Sequence, residues 1–222
     1  MIFSGGLAVA PPSTGPVAAS GIVNCSWNFS NGTQGWLPGY SDYKLRTKGL
    51  DRIAELRRLP EEVSAPEGHL GYYLQANNHS GDLFLYLKRQ VGPTEGLQPN
   101  RAYLAHIHVQ AVCQSKEIFL RAGVTWEEPS TTLIGDYAAF NLNKGRGPIG
   151  GVDLRLMSDE QTQDAARPVG DQFHLLSRSV HQPAPVRTDQ EGTLWITVGS
   201  DSASDGLVGI YQYTVGIALI PA

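Results

Sequence analysis

The strongest constraint on the fold of this chain is a repeated alternation of apolar with other side chains, with a period of two. Three leucines in Leu83–Lys88 alternate with Phe84, Tyr86 and Lys88, and Ala105–Gln110 alternates apolar residues with two histidines and a glutamine. Successive side chains of a β-strand point to opposite faces, so both stretches are predicted to be strands. Similar patterns predict strands at Gly21–Phe29, His69–Ala76, Glu117–Val124, Val152–Met157, Gln172–Ser177, Thr193–Gly199 and Leu207–Ile220.

Helical patterns are few and short. Leu50–Arg57 has roughly helical spacing but is followed by Pro60, and Ser158–Gln161 fits a capping box that opens one or two turns. Scattered Gly (25) and Pro (14) residues separate the predicted strands, and the turn residues of 91–100 predict an antiparallel pair joined by a loop. The absence of a strand and helix alternation disfavours a parallel sheet. The sequence therefore predicts an all-β fold, an antiparallel β-sandwich of the jelly-roll kind.

Length and charge limit the classes of protein to consider. The 222 residues suit one large β domain, predicted at 21–222, after a flexible leader or signal remnant at 1–20. Lys and Arg number 17 and Asp and Glu 21, a net charge of -4, so nucleic acid is disfavoured as a partner. No apolar run approaches the roughly 20 residues that span a bilayer.

The N-terminal segment and the cysteines bear on the compartment. Ala8-Val9-Ala10 has the small-x-small pattern of a signal cleavage site, although no Lys or Arg precedes Lys44. We interpret the segment as the end of an export signal, which predicts a secreted, periplasmic or cell-surface protein; an ordinary cytosolic start is the alternative. Cys25 and Cys113 show no zinc-binding spacing, and the sequence leaves open whether they form a disulfide.

Two resemblances support this fold. Trp27–Trp36 is similar to the opening strand and turn of galactose-binding-like and carbohydrate-binding jelly rolls, in which the two Trp side chains belong to the core and to the edge of the sandwich. A wider resemblance is to a family of bacterial secreted or lipid-anchored jelly-roll domains without an assigned activity, and it implies export and lipid anchoring of a full-length precursor. Its segments here are Gly39–Tyr43, Asn77–Phe84, Leu97–Tyr103, Leu120–Gly123, Asn141–Gly145 and Leu194–Ser202.

The densest polar cluster is the leading candidate for a ligand site. Asn77, Asn78, His79 and Asp82 lie between two predicted strands, where amide and carboxylate groups can bind sugar hydroxyls. A tight turn held by side chain to backbone hydrogen bonds is the alternative. Other candidate ligand-binding residues are Arg121 and three aromatics that can stack on sugar rings unless they belong to the core, namely Trp126, Tyr137 and Tyr211.

Metal binding rests on two weaker patterns. Asp201 and Asp205 occupy positions 1 and 5 of a calcium-loop pattern that lacks an acid at position 12, so they are candidates for a structural calcium site, with a plain hairpin loop as the alternative. His106 and His108 share one strand face, a geometry that suits a metal or two ordinary hydrogen-bonded histidines.

An enzyme is the remaining interpretation. Segments around Arg57, His106 and Arg121 are similar, in the same order, to three motifs of jelly-roll polyuronate lyases, which implies proton transfer at a uronate. The leading hypothesis is a secreted, non-catalytic module that binds a carbohydrate or a cell-surface ligand and requires no cofactor. An extracellular structural or adhesion domain and a polysaccharide lyase or hydrolase are the alternatives, and the oligomeric state stays open.

Overall fold

A computed structural model describes residues 21–45, 50–63, 69–78, 82–114, 118–159, 172–202 and 205–222. These residues form β-strands and two short 3₁₀ turns, Phe29–Asn31 and Pro93–Glu95. Within these ranges, the structure contains no helix of the length and apolar character needed to span a bilayer. The strands are β1 Val23–Asn28, β2 Leu37–Ser41, β3 Tyr43–Lys44, β4 Ile53–Arg58, β5 Leu70–Asn78, β6 Leu83–Val91, β7 Ala102–Cys113, β8 Ile118–Thr125, β9 Thr131–Ile134, β10 Tyr137–Phe140, β11 Gly145–Arg146, β12 Ile149–Gly150, β13 Arg155–Leu156, β14 Ser158–Asp159, β15 His174–His181, β16 Val186–Arg187, β17 Leu194–Ser202 and β18 Gly206–Pro221.

Two antiparallel sheets form the body of the protein. The first sheet has the order β14-β15-β7-β18-β5-β4, with β1 also paired to β18 and β16 to β7. The second sheet has the order β13-β8-β17-β6-β2. The chain passes from β6 to β7 to β8, and from β17 to β18, by crossing between the sheets, which is the connectivity of a jelly roll. The predicted all-β antiparallel sandwich is confirmed.

The core lies between the sheets and uses alternate residues of each strand. Leu83, Leu85 and Leu87 of β6 are fully buried, and they face Ile107 and Val109 of β7 across a shared core. Both strands therefore have the predicted inward face. The two tryptophans of the opening motif also belong to this core, with the Trp27 and Trp36 rings edge to face at 5.4 Å between centroids.

Several local predictions are wrong. The segment 50–57, predicted as a helical turn, overlaps strand β4, which pairs with β5 along its whole length. A helix this short is marginal, whereas a sheet edge supplies hydrogen-bond partners. The connections from β6 to β7 and from β17 to β18, predicted as hairpins, join strands of different sheets. Side-chain alternation is the same in a hairpin and in a crossover, so the sequence did not distinguish them. The predicted strand 152–157 is reduced to β13. The predicted capping box at 158 coincides with β14, and residues 1–20 and His79 lie outside the described residues.

The segment between β8 and β13 covers part of the outer face of the second sheet. Phe140, Leu142 and Leu154 pack on Phe84 and Tyr86 of β6, which point away from the main core. The approach is close at Gly123 of β8, where an added Cβ would lie 2.0 Å from the Asp153 carbonyl oxygen. This second, smaller core fixes the loop that carries the candidate site.

Candidate functional site

The two polar segments singled out in the sequence meet at one end of the sandwich. Strand β5 ends at Asn78, and strand β17 ends at Ser202, whose carbonyl oxygen accepts a hydrogen bond of 3.1 Å from the Asn78 side-chain amide. Both residues are buried. This contact joins the ends of the two sheets and brings Asp82 and Asp201 to the same region.

The ammonium group of Lys144 lies at the centre of this region. Its Nζ atom is 3.2 Å from Asp201 Oδ1, 3.3 Å from Asp42 Oδ2 and 3.7 Å from Asp82 Oδ1. Lys144 is only 6% exposed. A buried ammonium requires opposite charge and hydrogen bonds around it. The three carboxylates supply the charge, and Asp201 Oδ1 accepts a hydrogen bond from Nζ. The carboxylates of Asp82 and Asp201 therefore both pair with the ammonium group of Lys144, a cation of the protein itself.

Asp42 reaches this centre through an unusual backbone conformation. Its φ angle is +63°, in the left-handed region that non-glycine residues seldom adopt. The Asp42 Oδ1 atom accepts a hydrogen bond of 3.1 Å from the Phe140 amide. Burial raises the pKa of the Asp42 carboxyl, and the nearby Lys144 ammonium opposes that shift. Conformations of this kind concentrate at functional sites, where the surrounding structure holds them.

Arg121 holds the loop that carries Lys144. Its guanidinium donates to the carbonyl oxygens of Lys144, Gly147 and Ile149 at 2.7, 2.6 and 2.9 Å. It also pairs with Asp201 at 2.9 Å. The Arg121 side chain is fully buried, so it presents no surface to a ligand, contrary to its predicted role in direct binding. It instead positions residues that do face the solvent.

A cavity of about 270 Å³ opens above the Lys144 ammonium. Asp82 is partly exposed here, and Asn143 and Arg146 are exposed at the cavity wall. Amide, carboxylate and guanidinium groups thus face one opening, together with apolar side chains. The full lining is Asp42, Asp82, Phe140, Leu142, Asn143, Lys144, Gly145 and Arg146.

Tyr137 lies within electrostatic range of this cluster. Burial, followed by the charges of Asp42 and Asp82, raises the pKa of the Tyr137 phenol to about 12. Arg146 opposes that shift. The predicted ligand residues Asp82 and Tyr137 therefore belong to one electrostatic unit.

This coupling gives a direct test of the geometry. We expect Asp82→Asn to lower the pKa of Tyr137 towards its ordinary value, because one negative charge that opposes tyrosinate formation is removed. Tyrosinate absorbance measured against pH, with Tyr137→Phe to identify the transition, reports the shift. An unchanged Tyr137 transition in Asp82→Asn would show that the two groups do not interact.

The other predicted ligand residues lie elsewhere. Trp126 follows β8 and is 70% exposed, whereas Tyr211 is buried and packs on Tyr73 at 4.4 Å between ring centroids. Tyr211 is therefore a core residue, the alternative to stacking on a sugar ring. Asn77 donates its backbone amide to the Leu50 carbonyl oxygen at 2.9 Å, a backbone contact with a distant segment of the chain.

Calcium binding at Asp201 and Asp205 stays a prediction. The carboxylate oxygens of Asp201 contact Lys144 and Arg121, and Asp205 is exposed. Among the described residues, no group of three or more His, Cys, Asp or Glu side chains is arranged to hold a metal ion. Cys25 and Cys113 are both free thiols in this structure.

The three segments of the lyase resemblance do not form one site. Arg57 lies on β4 and His106 on β7, both in the first sheet, while Arg121 is buried in β8 of the second sheet. Sequence reasoning missed Lys144, Asp42 and Arg146. Asp42 and Lys144 nevertheless lie within segments that carry the family resemblance, Gly39–Tyr43 and Asn141–Gly145.

Comparison with known proteins gives weak structural similarities and no family. No protein family and no curated protein matches this chain. Among solved structures, the chain is similar to the C-terminal family 22 carbohydrate-binding module of Clostridium thermocellum Xyn10B, with 11% identity over 88% of this chain and 92% of that one and a TM-score of 0.42. It is also similar to the Stig cyclase FisC from Fischerella sp. TAU, with 11% identity over 89% and 90% of the two chains and a TM-score of 0.41.

A third similar structure is the enzymatically active domain of tailspike protein 4 of bacteriophage CBA120, with 10% identity and a TM-score of 0.37. The match covers 84% of this chain but spans about a fifth (20%) of that domain. Several other similar structures are carbohydrate-binding modules. Proteins with different activities are thus similar to the same degree, and the likeness assigns no ligand.

Proposed function

We propose that the protein is a non-catalytic module that binds a carbohydrate in the cavity above Lys144. The observation that carries the proposal is the set of groups at one opening of about 270 Å³, where Asp82, Asn143 and Arg146 are accessible beside the apolar Phe140 and Leu142. Sugar hydroxyls both donate and accept hydrogen bonds, so a carboxylate acceptor next to amide and guanidinium donors suits them. The apolar side chains suit the carbon face of a sugar ring.

The charge of the cavity favours a neutral ligand. Among its lining residues, the carboxylates of Asp42 and Asp82 are balanced by the cations of Lys144 and Arg146. A ligand with a net charge would therefore lose hydration without finding an excess of opposite charge. A neutral sugar gains hydrogen bonds to charged groups at a smaller desolvation cost.

The site is also organised before a ligand arrives. Lys144 is fixed by three carboxylates, and its loop is fixed by three carbonyl contacts with Arg121. A binding site that is already ordered spares the conformational entropy that a mobile loop would lose on binding. This rigidity favours a binding role. We also propose an extracellular location, which the signal-cleavage pattern Ala8-Val9-Ala10 supports.

Glycan-array screening followed by titration calorimetry tests the proposal. We expect a neutral sugar to bind and both Asp82→Asn and Arg146→Gln to weaken it about tenfold or more, because each removes a hydrogen bond to a charged group. Glu55→Gln is the matched control, since Glu55 pairs with Arg57 on the exposed β4 strand away from the cavity. Absence of any glycan binding at high micromolar concentration would reject the proposal and favour the structural or adhesion alternative.

A further inference from the structure

A second cavity, larger than the first, lies on the opposite side of the sandwich. It is a groove of about 330 Å³ on the outer face of the first sheet, whereas the Lys144 cavity belongs to the second sheet. The groove is lined by Asn24, Cys25, Ser26, His106, His108, Gly216, Ile217 and Ala218. None of these residues takes part in the Lys144 site.

The groove exists because the middle one of three neighbouring strands carries small residues, whereas the strands on either side carry larger ones. In the strand register, Gly216 of β18 lies between Ser26 of β1 and His108 of β7, and Ala218 lies between Asn24 and His106. A Cβ added at Gly216 would meet no atom within 4 Å. The middle strand therefore forms an open floor, and polar side chains stand on both sides of it.

The imidazole side of the groove is held in place by strand β15. The His106 ring stacks on the His181 ring, with 3.9 Å between centroids and 15° between planes. The His108 Nε2 atom lies 2.8 Å from the Ser177 hydroxyl oxygen. These contacts fix the two rings that border the groove, so a ligand meets an ordered wall.

The charge of the groove differs from that of the whole chain. The chain carries a net charge of -4, yet the lining residues include no Asp, Glu, Lys or Arg. The titratable groups that face it are His106 and His108 from β7, with His181 beside them from β15. Cys25 of β1 alternates with the exposed Asn24 and Ser26 and packs on the core side, where burial raises the pKa of its thiol. Strand β18 contributes no titratable group. Arg178 of β15 is directed to the core side, where it lines a small cavity with Leu120 and Met157.

We propose that this groove binds a segment of an acidic polysaccharide, with His106 and His108 donating N–H groups to its carboxylates. Imidazole carries a second donor and a positive charge when protonated. Ligand carboxylates meet no like charge in the groove, and hydroxyls meet Asn24 and Ser26. Nucleic acid is the less suitable polyanion, because its phosphates are bound chiefly by Lys and Arg.

Titration calorimetry with a short galacturonate oligomer tests this inference. We expect binding at about pH 5.5 and at least about tenfold weaker binding at about pH 8, as the charge-assisted hydrogen bonds are lost. His108→Gln, which keeps a hydrogen-bonding side chain without the charge, should bind weakly at both pH values. Gly216→Phe should abolish binding, because its ring fills an open floor without a clash at Cβ.

Thr132→Phe is the matched control for Gly216→Phe, since it adds the same ring to the exposed strand β9 far from the first sheet. Unchanged binding in Gly216→Phe, with folding verified by circular dichroism, would overturn the inference, as would equal affinity for a neutral galactose oligomer or for an oligothymidylate. Asp82→Asn should leave galacturonate binding intact. The groove and the Lys144 cavity can therefore fail independently.

Discussion

Asp201→Ala is expected to lower the free energy of unfolding by about 3–5 kcal/mol, because it leaves a buried guanidinium without its carboxylate. The Asp201 carboxylate contacts both Arg121, at 2.9 Å, and Lys144, at 3.2 Å, and the side chains concerned are almost wholly buried. Arg121 would keep its carbonyl acceptors but lose its ion pair. Urea and thermal unfolding measure the loss, which should be accompanied by loss of sugar binding in the cavity.

The control for Asp201→Ala is Glu55→Ala, in which the lost ion pair with Arg57 is exposed. Exposed pairs contribute about 0–1 kcal/mol, so this variant should unfold almost as the parent does. Combining Asp201→Ala with Arg121→Met should restore part of the stability, because the unpaired buried charge is then removed as well. An Asp201→Ala protein as stable as Glu55→Ala would show that the buried charges are not coupled.

Trp36→Ala is expected to cost a similar amount, about 3–5 kcal/mol, for a different reason. Trp36 is 1% exposed, and its ring packs edge to face on Trp27 and Phe29, with centroids 5.4 and 6.1 Å away. Truncation leaves a cavity in the core and removes two aromatic contacts. Urea unfolding should show a lower midpoint for this variant.

Trp126→Ala provides the comparison for Trp36→Ala. Trp126 is 70% exposed, and substitutions of exposed residues away from special features usually change stability by less than about 0.5 kcal/mol. The two tryptophans should therefore differ by several kcal/mol in the same measurement. Equal costs would mean that Trp36 does not belong to the core.

Much of the fold could be predicted because its main signal is local. Alternation in β6 and β7 identified both the strands and the side chains that face the core, and the Trp27 and Trp36 pair was predicted to lie in the sandwich. Strand β4 was missed because a short segment such as Leu50–Arg57 fits both a helical and an extended pattern. Pairing with β5 decided between the two patterns, and this pairing does not depend on local sequence propensity.

The candidate site was predictable only in part. Asp82, Tyr137 and Asp201 were singled out as separate candidates; the structure brings Asp82 and Asp201 to Lys144 and places Tyr137 within electrostatic range of both carboxylates. Lys144 itself gave no motif, because a lysine in a glycine-rich loop is ordinarily a solvated side chain. Arg121 was expected to face a ligand, since sequence does not distinguish a guanidinium that binds carbonyl oxygens of its own chain from one that binds a substrate.

The sequence by itself determined that this chain forms antiparallel strands with one apolar face, because side-chain alternation is a property of neighbouring residues. Only the tertiary structure decided which strands belong to which sheet, so that connections such as 91–100 cross the sandwich instead of forming hairpins. This arrangement of strands brings Asp42, Asp82 and Asp201 to one ammonium group. Charged side chains that are distant in sequence form a site when they are buried together, because each can remain ionised only in contact with an opposite charge.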